Sequence, residues 1–353
     1  MRKLHISSFT GRSGISHYAK DFFDCILAPR GYEQFDSELC SSSVIEEIKL
    51  DDMVHIEIGV NEANAIRVLY LLLDRGHRNV AITLHDPPFI SWPHFRFRSR
   101  SLNLLSKLVH LYLHNFGIGE GYFKKIDKIF VLTHAGAMKT MSRYRLSNVF
   151  HLPFLVNPGA LRTSSLLAPR NLVFFGFIAK NKGLDYALEV HERLLKFFPQ
   201  CKFFVVGDAM GGESETYLSK LKSSYASNVE YLGFVDDAGL KNVFEQSSIA
   251  VMPFVAYRSI IPASASILNA MAAGKVVCAT SVNAISEFIH DGVTGVILRR
   301  NIESDVEQIR ALLATDGAVN KLANNAIEFL RLNHGPASVG HAFDHAMEAR
   351  CGI

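Results

Sequence analysis

Two kinds of apolar spacing alternate along this chain: short, nearly unbroken apolar runs, and longer stretches in which apolar residues return every third or fourth position. The first kind predicts strands buried on both faces, and the second predicts helices with one apolar side. In the first half, residues 3–8, 53–59, 79–84, 128–133 and 149–153 predict strands, with helices over 15–27, 63–75 and 134–144. The second half is more regular. Strands at 172–177, 202–206, 229–233, 249–253, 276–280 and 295–298 alternate with helices beginning near Gly183, Glu213, Asp237, Ala263, Ala284 and Ser304.

Such strand–helix repeats predict an α/β chain of parallel sheets covered by helices, arranged as two Rossmann-like domains. Residues 157–170 carry two prolines, several small residues and no strong period, and are expected to link a first domain, 1–160, to a second, 171–333. The last stretch, 336–353, is helical in pattern and is expected to pack back on the first domain.

Three places combine an element boundary with candidate chemistry. Residues 257–280 read as loop, helix, glycine stop and strand, with Pro262, Ser264 and Ser266 at the helix start and Gly274 at its end. Small residues there let a ligand approach free N–H groups at the positive end of the helix dipole, which suits a phosphate, although a tightly packed helix start would look the same. Thr10-Gly-Arg-Ser-Gly14 lies between a strand and a helix and is a second phosphate-approaching turn or an ordinary glycine turn. His85, followed by Asp86, Pro87 and Pro88, falls at the carboxyl end of a strand, where open α/β sheets bind ligands, or is a histidine capped by Asp86.

Between Asp86 and Glu120 there is no acid, while Arg96, Arg98, Arg100 and Lys107 interleave with Phe89, Trp92, Phe95 and Phe97. Segment 89–112 therefore suits an anionic bilayer surface, or is a helix with a solvated basic face. Composition narrows the rest. With 353 residues, 48% hydrophobic and 20% charged, the chain is globular, and its net charge of +3 does not by itself suggest nucleic acid. Its five cysteines are scattered, without zinc-site or disulfide spacing, and fit a reducing cytoplasm. The first residues turn polar too early for a signal peptide, and no apolar run reaches the roughly 18 residues of a membrane span. The expected location is the cytoplasm, at the inner face of the plasma membrane if 89–112 binds there.

Several ordered motifs carry a family resemblance. Gly176-Phe-Ile-Ala-Lys-Asn-Lys-Gly183 resembles the G-R-L-x-x-x-K-G donor loop of family 4 GT-B glycosyltransferases, and residues 277–295 resemble the stretch downstream of it. Gly233-Phe234-Val235, residues 268–274 and His85-Asp86 match as well, so the resemblance covers nearly the whole chain, most strongly 171–298. It implies a GT-B fold, two Rossmann-like domains facing each other across a donor cleft. The implied reaction moves a sugar from a nucleotide diphosphate to an acceptor hydroxyl, usually with retention and without an Asp-x-Asp metal. No cofactor or metal is expected, the nucleotide sugar being the donor substrate; a glycan or lipid-linked glycan is the expected acceptor.

By the same resemblance Lys182 contacts the diphosphate, Gly14 lets the first loop approach it, and the helix opening at Ser264 and Ser266 supplies N–H donors. Phe234 borders the base, Glu287 lies in the donor cleft, Asn269 contacts ribose, and His85 serves the catalytic centre. The chain also departs from the family. The arginine beside Lys182 is replaced by Phe177, and the two glutamates of the E-x7-E motif fall on Ile261 and Asn269. Arg258, or failing it Lys180, is expected to supply the missing positive charge. These losses leave room for a non-catalytic or glycan-binding partner subunit, and the shared fold for a nucleotide-sugar epimerase.

Overall fold

The computed structural model describes residues 1–9, 14–40, 42–59, 62–88, 101–102, 105, 120–157, 169–209, 211–256 and 260–349. The chain divides into two compact units: Met1–Leu155 with Ser259–Ala263 and Pro336–Ile353, and Val156–Arg258 with Ser264–Gly335. The stretch 257–280 is thereby shared, with Ser259–Ala263 in the first unit and the rest in the second.

The first unit holds strands β1 (Lys3–Ser7), β2 (Tyr32–Asp36), β3 (Met53–Ile58), β4 (Val80–Leu84), β5 (Lys128–Val131) and β6 (Val149–His151). They form one parallel sheet in the order β2-β1-β3-β4-β5-β6. β3 and β4 are buried along nearly their whole length, which is why they show as continuous apolar runs. β2, an edge strand reading YEQFD, exposes Glu33 and Gln34 and packs on one side only; its polar sequence hides it from periodicity. The helix expected over 15–27 is α1 (Gly14–Phe22), continued by a π-helical turn, Phe23–Leu27. A short α2 (Ser42–Glu47), also unexpected, precedes α3 (Ala63–Asp74); α4 (Glu120–Phe123) and α5 (His134–Tyr144) follow. Thr133 caps α5 by accepting from the Gly136 N–H at 3.1 Å, a contact of about 1 kcal/mol.

The second unit holds β7 (Leu172–Phe175), β8 (Phe203–Val206), β9 (Val229–Gly233), β10 (Ile249–Met252), β11 (Val276–Thr280) and β12 (Gly295–Leu298). These too are parallel, in the order β12-β11-β10-β7-β8-β9. Its helices are α6 (Leu184–Leu194), α7 (Gly212–Ser224), α8 (Asp237–Glu245), α9 (Ala265–Ala272), α10 (Ile302–Ala314) and α11 (Ala318–Asn333). No long helix begins at Ala284: Asn283 turns left-handed, with φ 54°, and only one 3-10 turn, Ile285–Glu287, follows.

The final helix, α12 (Pro336–Glu348), belongs to the first unit. Phe343 packs there among Phe22, Tyr32, His55 and Phe130. Arg30 clamps it with two donated bonds of 2.6 Å to Asp344. Gly340 leaves room for that clamp, since a Cβ there would lie 2.8 Å from Arg30 Nη2.

One buried ion pair makes the first unit sensitive to acid. Asp52 is 1% exposed; burial works to raise its pKa, but the Arg2 and Lys49 N–H groups and the Arg2 guanidinium outweigh burial and lower it to about 2. A depressed carboxyl contributes stability that is present above its unfolded value near 3.8 and lost as pH falls through about 2. The expected loss is about 2 kcal/mol between pH 4 and pH 2. Denaturant midpoints against pH check this, and parallel curves for wild type and Asp52→Asn would remove the pair as the cause.

Candidate functional site

In each sheet the strand order reverses direction at one place, between β1 and β3 in the first unit and between β7 and β10 in the second. Connections leaving the carboxyl ends of such strands diverge and open a crevice, the usual ligand position in α/β sheets.

In the second unit both sides of this crevice carry predicted site residues. The loop after β7 starts at Gly176, whose φ of 125° and carbonyl contact with Gly207 turn the chain sharply. Ile178 then donates to Asp208 O at 3.0 Å, and a 3-10 turn, Lys180–Lys182, leads to Gly183 with φ 70°. Glycine is required at 183 because a Cβ would lie 2.2 Å from the Pro253 carbonyl oxygen. From the other side, Val255 donates to Asn181 O at 2.8 Å, and the Phe254 ring lies 4.1 Å beneath the Lys182 ammonium. Lys182 is thus held half-buried, while Lys180 is exposed.

After β10 the chain reaches α9, capped by Ser264 without a side-chain bond to its N–H groups. Ser264 Oγ lies 3.3 Å from Ser266 Oγ, and a Cβ on Gly176 would meet Ser266 Cβ at 3.5 Å, so these hydroxyls border the β7 loop. Phe177 and Phe234 are 51% and 56% exposed, Phe177 on the β7 loop and Phe234 immediately after β9. Asn269 is exposed on α9, and Glu287 is half-buried in the 3-10 turn after β11. Arg258, proposed to replace the family arginine, lies outside the described residues, as does segment 89–112 apart from Ser101, Leu102 and Leu105. Pro253, Phe254 and Arg300 were not legible as site residues. Arg300 donates to Pro253 O at 2.9 Å, and Thr280 to Phe254 O, fixing the backbone that holds Lys182.

In the first unit, Gly14 opens α1 and is exposed; a Cβ there would meet nothing within 4 Å among the described residues, so packing does not require glycine. His85 sits one residue beyond β4 and extends its ladder by donating to Ile58 O at 2.9 Å. Its side-chain partner is Glu57 of β3, not the neighbouring Asp86: Nε2 lies 2.7 Å from Glu57 Oε2. Tyr18 packs edge-on against the same imidazole at 5.1 Å. Burial pushes the Glu57 carboxyl up, and the His85 contact offsets part of that rise. A charged residue inside the apolar run MVHIEIG was the available signal for Glu57, because a strand covered on both faces has no solvent for a carboxylate.

His5, His55 and Glu57 bring three metal-ligating atoms within 4.8 Å of one another. Yet the two Nδ1 atoms are 2.9 Å apart, closer than the roughly 3.4 Å between two nitrogens on tetrahedral zinc. His55 also bonds Thr83 through Nε2 at 2.9 Å, and Glu57 Oε2 is taken by His85 while Oε1 has no hydrogen-bond partner among the described residues. Burial holds His5 down to about 3 and His55 well below the ordinary imidazole range, so both are neutral rings in a hydrogen-bonded string.

Residues 169–315 match the family described as glycosyl transferases group 1. An uncharacterized glycosyltransferase of Methanocaldococcus jannaschii is 28% identical over 44% of this chain and 38% of its own length. The lipopolysaccharide 1,2-N-acetylglucosaminetransferase of Salmonella typhimurium is 25% identical over 50% and 48%. These matches span less than half the length of either relative. Among solved structures, HepE of Anabaena, crystallised with UDP, superposes with a TM-score of 0.72 at 14% identity, covering 98% of this chain and 99% of that one. TarM of S. aureus, solved with UDP, fondaparinux and α-GlcNAc-glycerol, gives 0.60 at 16% identity, over 85% and 56%. Residues 169–315 are thus similar to the group 1 glycosyl transferases, and the fold of the chain is the GT-B fold of HepE and TarM.

Proposed function

We propose that this chain is a retaining, metal-independent glycosyltransferase that moves a sugar from a nucleoside diphosphate to a glycan or lipid-linked glycan acceptor in surface polysaccharide assembly. The observation that carries the reading is the placement of Lys182 over Phe254, in the β7 loop that borders the amino end of α9. When the bond from the anomeric carbon to the diphosphate oxygen breaks, negative charge grows on the leaving group. A fixed ammonium and the first N–H groups of a helix stabilise that charge without reorganising. Retention brings the acceptor hydroxyl to the face the diphosphate leaves, so the departing oxygen can take its proton. In this reading Phe234 borders the base, Asn269 contacts ribose, Glu287 and the Ser264 and Ser266 hydroxyls line the donor, and His85 bonds the donor sugar. Arg258 or Lys180 supplements Lys182. The UDP in HepE and the sugar transfer named for the Salmonella relative support this choice of donor and reaction.

The test is turnover of a panel of nucleotide sugars by the purified protein in the presence of EDTA. Retained turnover is the expected result. Loss on chelation, with recovery on adding Mg²⁺ or Mn²⁺, would overturn metal independence.

A second reading, a non-catalytic partner, is favoured by one feature: the positions of the family arginine and first glutamate hold an exposed Phe177 and Ile261, whose backbone donates to Pro87 O at 2.7 Å. Absence of turnover with intact nucleotide binding would select it. An epimerase would instead convert free nucleotide sugar with no acceptor present.

The proposed acceptor class and a place at the inner membrane face rest on the basic, aromatic segment 89–112. Among the described residues no helix is long and apolar enough to cross a membrane. Binding to anionic vesicles should weaken with salt and fall when Arg96, Arg98 and Arg100 are replaced by Ser; unchanged binding would remove the membrane contact.

A further inference from the structure

His85 and Glu57 form a buried pair on neighbouring strands of the first unit, and the two partners are not equally enclosed. Glu57 is 1% exposed, whereas His85 keeps 8% of its surface open at the carboxyl end of β4. The 2.7 Å contact occupies Nε2, and Nδ1 has no hydrogen-bond partner among the described residues. Ring rotation is blocked on the flank by Tyr18, packed edge-on at 5.1 Å with an interplanar angle of 82°.

We propose that Glu57 is the positioning residue of His85: it holds the Nε2–H inward and leaves Nδ1 as the nitrogen open to a bound ligand. Glu57 touches no ligand itself. The protonation of the pair then decides what Nδ1 offers. With one proton fewer the ring presents a lone pair that accepts from a hydroxyl; with one more it presents an N–H that donates to an oxygen. The remaining groups around His85 are accounted for. His55 on β3 is held neutral by burial, Glu62 at the start of α3 is electrostatically attracted to the ring, Asp86 follows it in the chain, and Tyr18 is a neutral phenol that burial keeps protonated. Glu57 alone among the described residues is hydrogen-bonded to the ring.

The assignment of a ligand to Nδ1 rests on the glycosyltransferase reading, but the pair itself does not, and the test separates them. Full-length protein labelled with ¹⁵N-histidine reports the protonation of each His85 nitrogen across a pH titration. In wild type Nε2 should stay protonated throughout. In Glu57→Gln, whose amide accepts less strongly than a carboxylate and can itself donate, part of the population should move to the tautomer with bare Nε2. Glu57→Asp, a shorter carboxylate, should recover part of that difference. In turnover assays kcat/KM should fall in Glu57→Gln and partly recover in Glu57→Asp. A wild-type ring with bare Nε2 at high pH overturns the proposal even if Glu57→Gln fails to fold, and so do equal tautomer populations in the two proteins. If the nitrogens behave as expected and kcat/KM does not change, the pair stands and His85 is removed from the reaction.

Discussion

Lys182→Ala is expected to weaken nucleoside diphosphate binding by about 1.5–3 kcal/mol, or about 10- to 150-fold, and to slow turnover with it. The magnitude follows from a charge-assisted contact whose donor is already placed. The 3-10 turn Lys180–Lys182 is pinned through Asn181 O by the Val255 N–H, and Phe254 lies under the ammonium, so little side-chain freedom remains to be lost on binding. Asn269→Ala should cost less, about 0.5–1.5 kcal/mol, since an exposed amide on α9 exchanges a water contact for a neutral one. A nucleoside without phosphates should bind wild type and Lys182→Ala nearly alike. Calorimetry with both ligands checks the pattern. An unchanged affinity of Lys182→Ala for the diphosphate would disconnect the β7 loop from the donor and move the non-catalytic reading ahead. The same measurement on Arg258→Ala decides whether that residue or Lys180 stands in for the arginine absent at Phe177.

The largest stability effect is expected for Gly207→Ala, about 2–6 kcal/mol, from two terms of about 1–3 kcal/mol each. Gly207 ends β8 with φ 132°, a conformation L side chains rarely adopt, and a Cβ there would lie 2.0 Å from the Gly176 carbonyl oxygen. Relief requires the backbone at Gly176, where the donor loop begins, to move. Gly317→Ala is the control: its φ of 74° imposes the strain of about 1–2 kcal/mol, but a Cβ would meet nothing within 4 Å among the described residues. Urea midpoints at unchanged slope separate the two. Equal losses would show that backbone conformation, not the close approach of two chain turns, sets the cost. A folded Gly207→Ala should also bind nucleoside diphosphate more weakly, while Gly317→Ala should not.

The parallel sheets of the α/β chain and the glycine turns at 176 and 183 were legible in sequence for one physical reason. A strand buried on both faces must be apolar throughout, and a turn with positive φ selects glycine, so β4, β8, β10 and β11 and the glycines at 176 and 183 leave local traces. β2 left none, because an edge strand needs no second apolar face. The helix expected at Ala284 shrank to one turn because its composition does not reveal the left-handed residue at Asn283. Tertiary structure alone decided which partners the site residues have. His85 is followed in sequence by Asp86, yet it bonds Glu57, because adjacent parallel strands bring residues 28 positions apart side by side. Phe254 comes to lie under Lys182 only because β10 neighbours β7, a pairing set by strand order across the sheet. Spacing along a chain encodes the period of an element and the residues that end it; contacts between strands depend on the order in which those strands pack, which no local pattern contains.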